Sequence, residues 1–222
     1  YTMNLRSNRL LRDPSAWYHV VVAVDTTQST DTNRVKIYVN GVQETSFFAS
    51  TYPTQNLELF MNEDKAQNIG TQRFGSTVSA PFDGYMAEFA FIDGSQLAPT
   101  AFGEFNSDSP RIWQPKDFKD DVTFGSNGYY LDFEDSSALG NDISGNNNDF
   151  TTVNFAATDQ ATDTCTNNFC TMNPLHPTTA VTFSEGNCKY VTSGDDNKGA
   201  GIGTFGLTAG KWYYEVKIAS LV

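Results

Sequence analysis

Asp132 and Glu134, in the run Leu131-Asp132-Phe133-Glu134-Asp135, are the first residues of this chain to suggest acid–base chemistry. Alternate residues on a strand share a face. Two carboxyls on one face can flank a glycosidic bond, one as acid and the other as nucleophile. A lone acidic pair is a weak motif, and this one also reads as the solvated side of a strand whose Leu131 and Phe133 point inward. A second set, Asp142, Ser144, Asn146 and Asn148, alternates oxygen donors around Gly145, and such donors suit a hard cation such as Ca²⁺. The set lacks further carboxylates and a bidentate Glu, and Asn and Gly runs also build ordinary turns by bonding their own backbone. A third set is Tyr52, Asn62, Asp64 and Trp113: aromatics for ring stacking beside amides and carboxylates for hydroxyl contacts, the needs of a sugar site. Each of them also reads as a loop anchor packed on a sheet edge.

Other chemistry-bearing residues point to structure. His19 sits in an apolar run with no Ser or Cys nucleophile beside it and reads as a sheet histidine. Gly199-Ala200-Gly201-Ile202-Gly203 precedes no Lys-Ser/Thr and no helix signal, so it is a turn or bulge rather than a phosphate loop. Cys165, Cys170 and Cys188 make no disulfide framework and have the wrong spacing for zinc with His19 and His176. They read as free thiols, and pairing of Cys165 with Cys170 stays open.

The elements that must carry these residues are strands. The 222 residues include 17 Phe, 10 Tyr and 3 Trp, too many aromatics for a disordered acidic chain. Fourteen Lys and Arg against 26 Asp and Glu give a net charge of −12, which argues against nucleic acid and against an anionic membrane surface. Few charges with many Thr, Ser and Asn suggest an extracellular or particle-surface protein. No apolar run reaches the roughly 18–20 residues of a membrane span. The opening Tyr1-Thr2-Met3-Asn4 carries no signal-peptide pattern, and the expectation is a fragment with further sequence or a partner chain beyond Val222.

Trp17 to Val24 is apolar on both faces, as for a strand covered on both sides. Val35, Ile37 and Val39 alternate toward one face, and Asn40-Gly41 is the dipeptide of a type I′ turn, returning as a strand over Val42 to Phe47. Further strands are expected at Leu57–Phe60, Gln67–Gly70, Phe82–Asp93, Tyr129–Glu134, Val181–Phe183, Lys189–Val191 and Lys211–Ile218. Only Leu97–Phe105 offers a helix, held to a turn or two by Pro99 and Gly103. Strands at this spacing with polar turns make a sandwich or jelly roll rather than βαβ units.

Trp17-Tyr18-His19-Val20, Val35-Lys36-Ile37-Tyr38-Val39-Asn40-Gly41, Ile69-Gly70 and Phe82-Asp83-Gly84-Tyr85-Met86-Ala87-Glu88-Phe89 resemble, in order and spacing, the laminin G-like, concanavalin A-like jelly roll. Ser184-Glu185-Gly186-Asn187 and Gly210-Lys211-Trp212-Tyr213-Tyr214-Glu215-Val216 resemble the first strands of a SPRY domain. The fold class expected is therefore all-β: an antiparallel β-sandwich of the concanavalin A-like jelly-roll kind plus the beginning of a second β-sandwich. Residues 1–155 form the jelly roll, with its core over 1–106 and 128–150 as returning or second-copy strands. Residues 156–178 are a linker, and 179–222 are the truncated SPRY-like part. With Phe102-Gly103-Glu104-Phe105 and Trp113-Gln114-Pro115-Lys116, the combination resembles virion proteins of marine tailed phages. That resemblance implies a non-enzymatic module at the virion surface, binding a host surface glycan or other virion subunits and working as a homo-oligomer, a trimer as fibres are. The acidic balance and the lack of a long apolar run point to no nucleic-acid partner and no membrane insertion. The E-x-D-x-E pattern of catalytic jelly rolls is absent, which favours the solvated reading of Asp132 and Glu134. A purely structural decoration protein and, further off, a glycoside hydrolase or lyase are the alternatives.

Overall fold

Asn40 and Gly41 both take positive φ, 48° and 76°, the pair a two-residue type I′ turn needs. Around that turn the computed structural model, which describes residues 3–13, 16–63, 65–74, 77–176, 181–192 and 201–219, builds antiparallel strands. They are β1 (Asn4–Ser7), β2 (Val20–Val24), β3 (Val35–Val39), β4 (Val42–Gln43), β5 (Phe47–Thr51), β6 (Gln72–Phe74), β7 (Thr77–Ser79), β8 (Phe89–Phe91), β9 (Gly103–Phe105), β10 (Trp113–Pro115), β11 (Tyr129–Leu131), β12 (Val181–Ser184) and β13 (Lys189–Thr192). Helical structure among the described residues is confined to single 3₁₀ turns at Asp31–Asn33, Phe60–Asn62, Pro99–Ala101 and Ala157–Asp159. The protein is all-β and antiparallel.

The chain divides into two compact units, Tyr1–Asn168 and Phe169–Val222. In the first, β2, β3 and β4 form one sheet, while β1 pairs β5, β6 pairs β7, β8 pairs β11 and β9 pairs β10. The largest buried cluster joins β11 to loops: Phe118, Phe124 and Tyr130, with Ala90, Ile92, Phe102, Val122 and Ile143 packed against them. Phe118 and Tyr130 approach to 4.8 Å between ring centroids, and Phe102 meets Phe118 edge-on at 5.1 Å. Each such ring contributes about 1.5–3 kcal/mol by leaving water. In the three-stranded sheet Val35 and Val39 are buried on one face and Ala23 on the other.

Several elements are shorter than the periodicity predicts, each for a local reason. The long strand expected over Phe82–Asp93 is ordered only at Phe89–Phe91, because Glu88 adopts a left-handed φ of 56° just before it. Tyr129–Glu134 stops at Leu131, since Phe133 has φ 59°. Val42–Phe47 splits into β4 and β5 at Glu44, a buried carboxylate gripped by Ser7 Oγ and Arg9 Nε, each at 2.5 Å. The helix expected over Leu97–Phe105 is one 3₁₀ turn, and Gly103–Phe105 leaves it to pair with β10. Leu57–Phe60 and Gln67–Gly70 form no strands, and Gln67 instead bonds the carbonyls of Phe60 and Lys65. The face of β2 expected to be covered is open: Val20 and Val22 are 51% and 50% exposed on a strand at the edge of its sheet.

In the second unit β12 and β13 form a hairpin, and Met172 bridges Gly203. The strand expected over Lys211–Ile218 is absent. That stretch has no regular structure, and Tyr213 and Tyr214 are exposed. Gly199 and Ala200 lie outside the described residues.

Candidate functional site

Asp142 organises the polar chemistry of the first unit. Its buried carboxylate accepts the Tyr130 N–H at 2.8 Å and the Ser144 N–H at 2.9 Å on Oδ1. On Oδ2 it accepts the Ser144 hydroxyl and the Asn148 N–H, both at 2.9 Å. Burial works to raise this carboxyl, and the four hydrogen bonds outweigh it, holding the group below the ordinary carboxylate range. The spacing of Asp142, Ser144, Asn146 and Asn148 does bring the four side chains together. Their donors and acceptors, however, are matched to protein. Asn146 Nδ2 donates to the Gly125 and Gly128 carbonyls at 2.6 and 2.8 Å, and Asn148 Nδ2 to those of Ser126 and Gly128 at 3.1 and 2.9 Å. With Asp142 surrounded by four donors and both amides turning N–H groups inward, this arrangement does not fit Ca²⁺, which needs converging oxygen lone pairs. Among the described residues no three His, Cys, Asp or Glu side chains group as a metal-ligand set.

What the two asparagines hold is the loop Gly125–Gly128, and that loop carries Asn127 to the surface. There Asn127 Nδ2 donates to Asn62 Oδ1 at 2.9 Å, and Asn62 Nδ2 donates to Asp93 Oδ1 at 2.7 Å. The Asn127 N–H closes the set on Asp93 Oδ2 at 3.2 Å. Asp93 is itself fixed from below, its N–H on the Phe124 carbonyl at 2.8 Å. Gly125 lies so close that a Cβ there would sit 2.5 Å from the Asp93 carbonyl oxygen. Three loops distant in sequence thus present two amides and a carboxylate side by side at one exposed edge.

An amide has two N–H donors and two lone pairs, and a carboxylate about four lone-pair sites. The internal bonds use part of that capacity, so the Asn62 and Asn127 amides and the Asp93 carboxylate keep groups for an external ligand. Phe60, in the same 3₁₀ turn as Asn62, is 68% exposed, with the Lys65 ammonium 4.2 Å from its ring centroid. Fixed amides, a carboxylate and a nearby aromatic ring can together bind a polyhydroxylated ring.

Of the described residues expected at a sugar site, only Asn62 belongs to this cluster. Asp64 lies outside the described residues. Tyr52 is half-buried at the end of β5. Trp113 is an internal anchor: its Nε1 donates to His19 Nδ1, Phe105 meets it edge-on at 5.0 Å, and Gly41 and Gly103 lie against its indole. Burial lowers the pKa of His19, consistent with a neutral ring that accepts this bond. Sequence reasoning missed Asp93 and Asn127 because they meet Asn62 across 31 and 65 residues of chain. The turn residues Asp93-Gly94 and Gly125-Ser126-Asn127-Gly128 were the only signal of loops at these positions.

Asp132 and Glu134 do not alternate on a strand as expected. Both lie past the end of β11, and Asp132 Oδ1 accepts the Glu134 N–H at 3.1 Å in a local turn. Nearby, Glu88 is pushed above its ordinary pKa by burial and by the charges of Asp117, Glu134 and Asp132. Cys165 and Cys170 are thiols, with no disulfide between them. No helix among the described residues is long and apolar enough to cross a membrane.

No curated protein and no solved structure matches the chain. A family comparison does: residues 2–98, less than half of the chain, match the laminin G family model described as the concanavalin A-like lectin/glucanases superfamily. The antiparallel strands of this part of the chain agree with that match, and such a domain fits carbohydrate binding or adhesion in general.

Proposed function

We propose that the chain is a non-enzymatic adhesion module that binds a surface glycan through the edge formed by Asn62, Asp93 and Asn127. The observation that carries this reading is the interlocked amide–carboxylate–amide set on three loops, prepared before any ligand arrives. Preorganised polar groups spare the entropy of ordering them on binding. The concanavalin A-like match over residues 2–98 supports the same class of ligand. The setting we propose is the surface of a phage-like particle, with the module in a fibre-like homotrimer and neither nucleic acid nor a membrane as partner. A small share of charged residues, acidity and the SPRY-like and virion-protein resemblances support that setting. Three sites on one fibre would compensate for weak single-site affinity. The test is retention of the full chain on immobilised polysaccharides and on host cells, with released reducing ends recorded in the same samples. Saturable retention without sugar release is expected; release of reducing ends would overturn the non-enzymatic assignment.

One observation favours a second reading, a structural subunit that packs on its neighbours. Val20, Val39 and Val42 are register partners across the three-stranded sheet, and Val20, Val22 and Val42 leave an open apolar stripe on it. Retention by no glycan, with an oligomer lost on Val22→Lys, would favour that role.

A further inference from the structure

The segment 135–156 folds around a cavity of about 240 Å³ that neither the aromatic core nor the Asn62 edge uses. Successive turns build its wall: the Ala138 N–H meets the Asp135 carbonyl at 3.0 Å and the Asn141 N–H meets the Ala138 carbonyl at 2.9 Å. Phe150 is drawn in by its N–H on the Gly140 carbonyl at 2.8 Å. Gly140 admits this approach because it has no side chain; a Cβ there would lie 1.9 Å from the Phe150 carbonyl oxygen. At the far side Asp159 accepts the Ala156 N–H at 2.7 Å, and the Gln160 amide bonds the carbonyls of Phe133 and Glu134 at 2.8 and 2.7 Å. The cavity is therefore held open by hydrogen bonds already made.

Its lining has a definite chemistry. Ser136 and Thr152 bring hydroxyls, Asn141 an amide and Asp149 a carboxylate, while Phe150 and Phe155 bring apolar rings. Ser137 also lines it, but its hydroxyl is committed to Asp135 at 2.6 Å. Asp149 Oδ1 accepts the Asp142 N–H at 2.8 Å, which fixes the direction of the carboxylate. Phe155 is 66% exposed at the rim. No Lys, Arg or His lines the cavity among the described residues, so an anion finds no counter-charge. One carboxylate among hydroxyls and an amide is too few for a hard cation. Short polar groups at fixed places beside flat apolar surface match a ring that has hydroxyls on its edge and C–H groups on its face. The volume lies below that of pockets for drug-sized ligands, about 300–1,000 Å³, and is suited to a single ring.

We propose that this cavity is a second saccharide subsite, taking one neutral sugar residue with a hydroxyl donating to Asp149 and the ring face against Phe155. The inference rests on the saccharide reading given above but concerns a separate place on the domain. The test is a titration of the full chain with free glucose, galactose, mannose and N-acetylglucosamine, each at millimolar concentration, followed by amide chemical shifts. One of the four is expected to move the amides of Ser136, Asn141 and Thr152. Binding should weaken about tenfold in Asp149→Asn, which keeps an acceptor for the Asp142 N–H, and be lost in Thr152→Trp, which fills the cavity. Melting curves of both variants report whether they fold, and Ser136→Trp replaces Thr152→Trp if that one does not. Shifts confined to Asn62, Asp93 and Asn127, or shifts at the cavity that survive its filling, would overturn the subsite and leave the adhesion reading standing. No shifts with any of the four while polysaccharide is still retained would do the same. No shifts and no retention of polysaccharide would overturn both.

Discussion

The indole N–H of Trp113 donates to Nδ1 of His19 at 2.9 Å, joining strand β10 to the residue that precedes β2 across 94 residues of chain. The ring centroids are 5.8 Å apart and the planes 18° from parallel. This acceptor exists only while the imidazole is neutral, and burial favours that state by lowering its pKa. A base whose folded pKa is depressed contributes stability above its unfolded value, about 6.5 for His, and loses it as pH falls through the folded value. Urea midpoints should therefore fall as pH drops below 6.5, and His19→Gln should flatten that part of the profile. Trp113→Phe, which removes the N–H together with part of the indole packed against Gly41 and Gly103, should cost about 2–4 kcal/mol at neutral pH. An unchanged profile in His19→Gln would show that His19 does not carry this dependence.

Gly103 faces the same indole. A Cβ there would lie 2.7 Å from Trp113 Cε2 and 2.8 Å from the Gln114 carbonyl oxygen. One of the two obstacles is backbone, so the strain cannot be relieved by a rotamer change alone. Gly103→Ala should destabilise by about 1–3 kcal/mol. Thermal melting checks this, and a neutral effect would mean that β9 and β10 separate more easily than their pairing indicates.

Asp142→Asn puts an N–H₂ where two donors now point at a carboxylate oxygen. The expected cost is about 2–4 kcal/mol, with release of the Gly125–Gly128 loop and hence of Asn127. The wild-type carboxyl, held below its ordinary pKa, contributes stability above the unfolded value of about 3.8 and loses it as pH falls through the folded value. Chelator should leave the wild-type melting temperature unchanged. A drop on chelation, restored by calcium, would contradict the hydrogen-bonded account of this loop.

Glu88 has the opposite sign. Its folded pKa is raised by burial first and then by Asp117, Glu134 and Asp132. Stability from this group is greatest below its unfolded value and falls as pH rises through the folded one. Glu88→Gln should therefore raise the urea midpoint at pH 7 and change it less at pH 4. A midpoint lowered equally at both pH values would place the carboxylate in a bond that the neutral amide cannot make.

The sequence was most legible where contacts are local. Asn40-Gly41 specifies its turn by φ alone, and Asp142 to Asn148 close on one another within seven residues. Strand lengths were overestimated where a non-glycine residue takes positive φ: neither Glu88 nor Phe133 is a residue type that marks such a break. Trp113 resembled an exposed platform because its partners, Gly41 and His19, come from a distant hairpin. Asp93 and Asn127 were invisible for the same reason. Their meaning arises only once β8 and β11 pair and bring the loops at their ends together.

The central claim is that Asn62, Asp93 and Asn127 contact sugar, and calorimetric titration of the double variant Asn62→Ala/Asn127→Ala tests it most directly. The ligand is whichever polysaccharide the wild-type chain retains, and melting temperatures are measured alongside. Both side chains are exposed, so the account predicts affinity at least about tenfold weaker, with a melting temperature little changed. Wild-type affinity in the folded variant would contradict it and move the binding surface elsewhere on the domain.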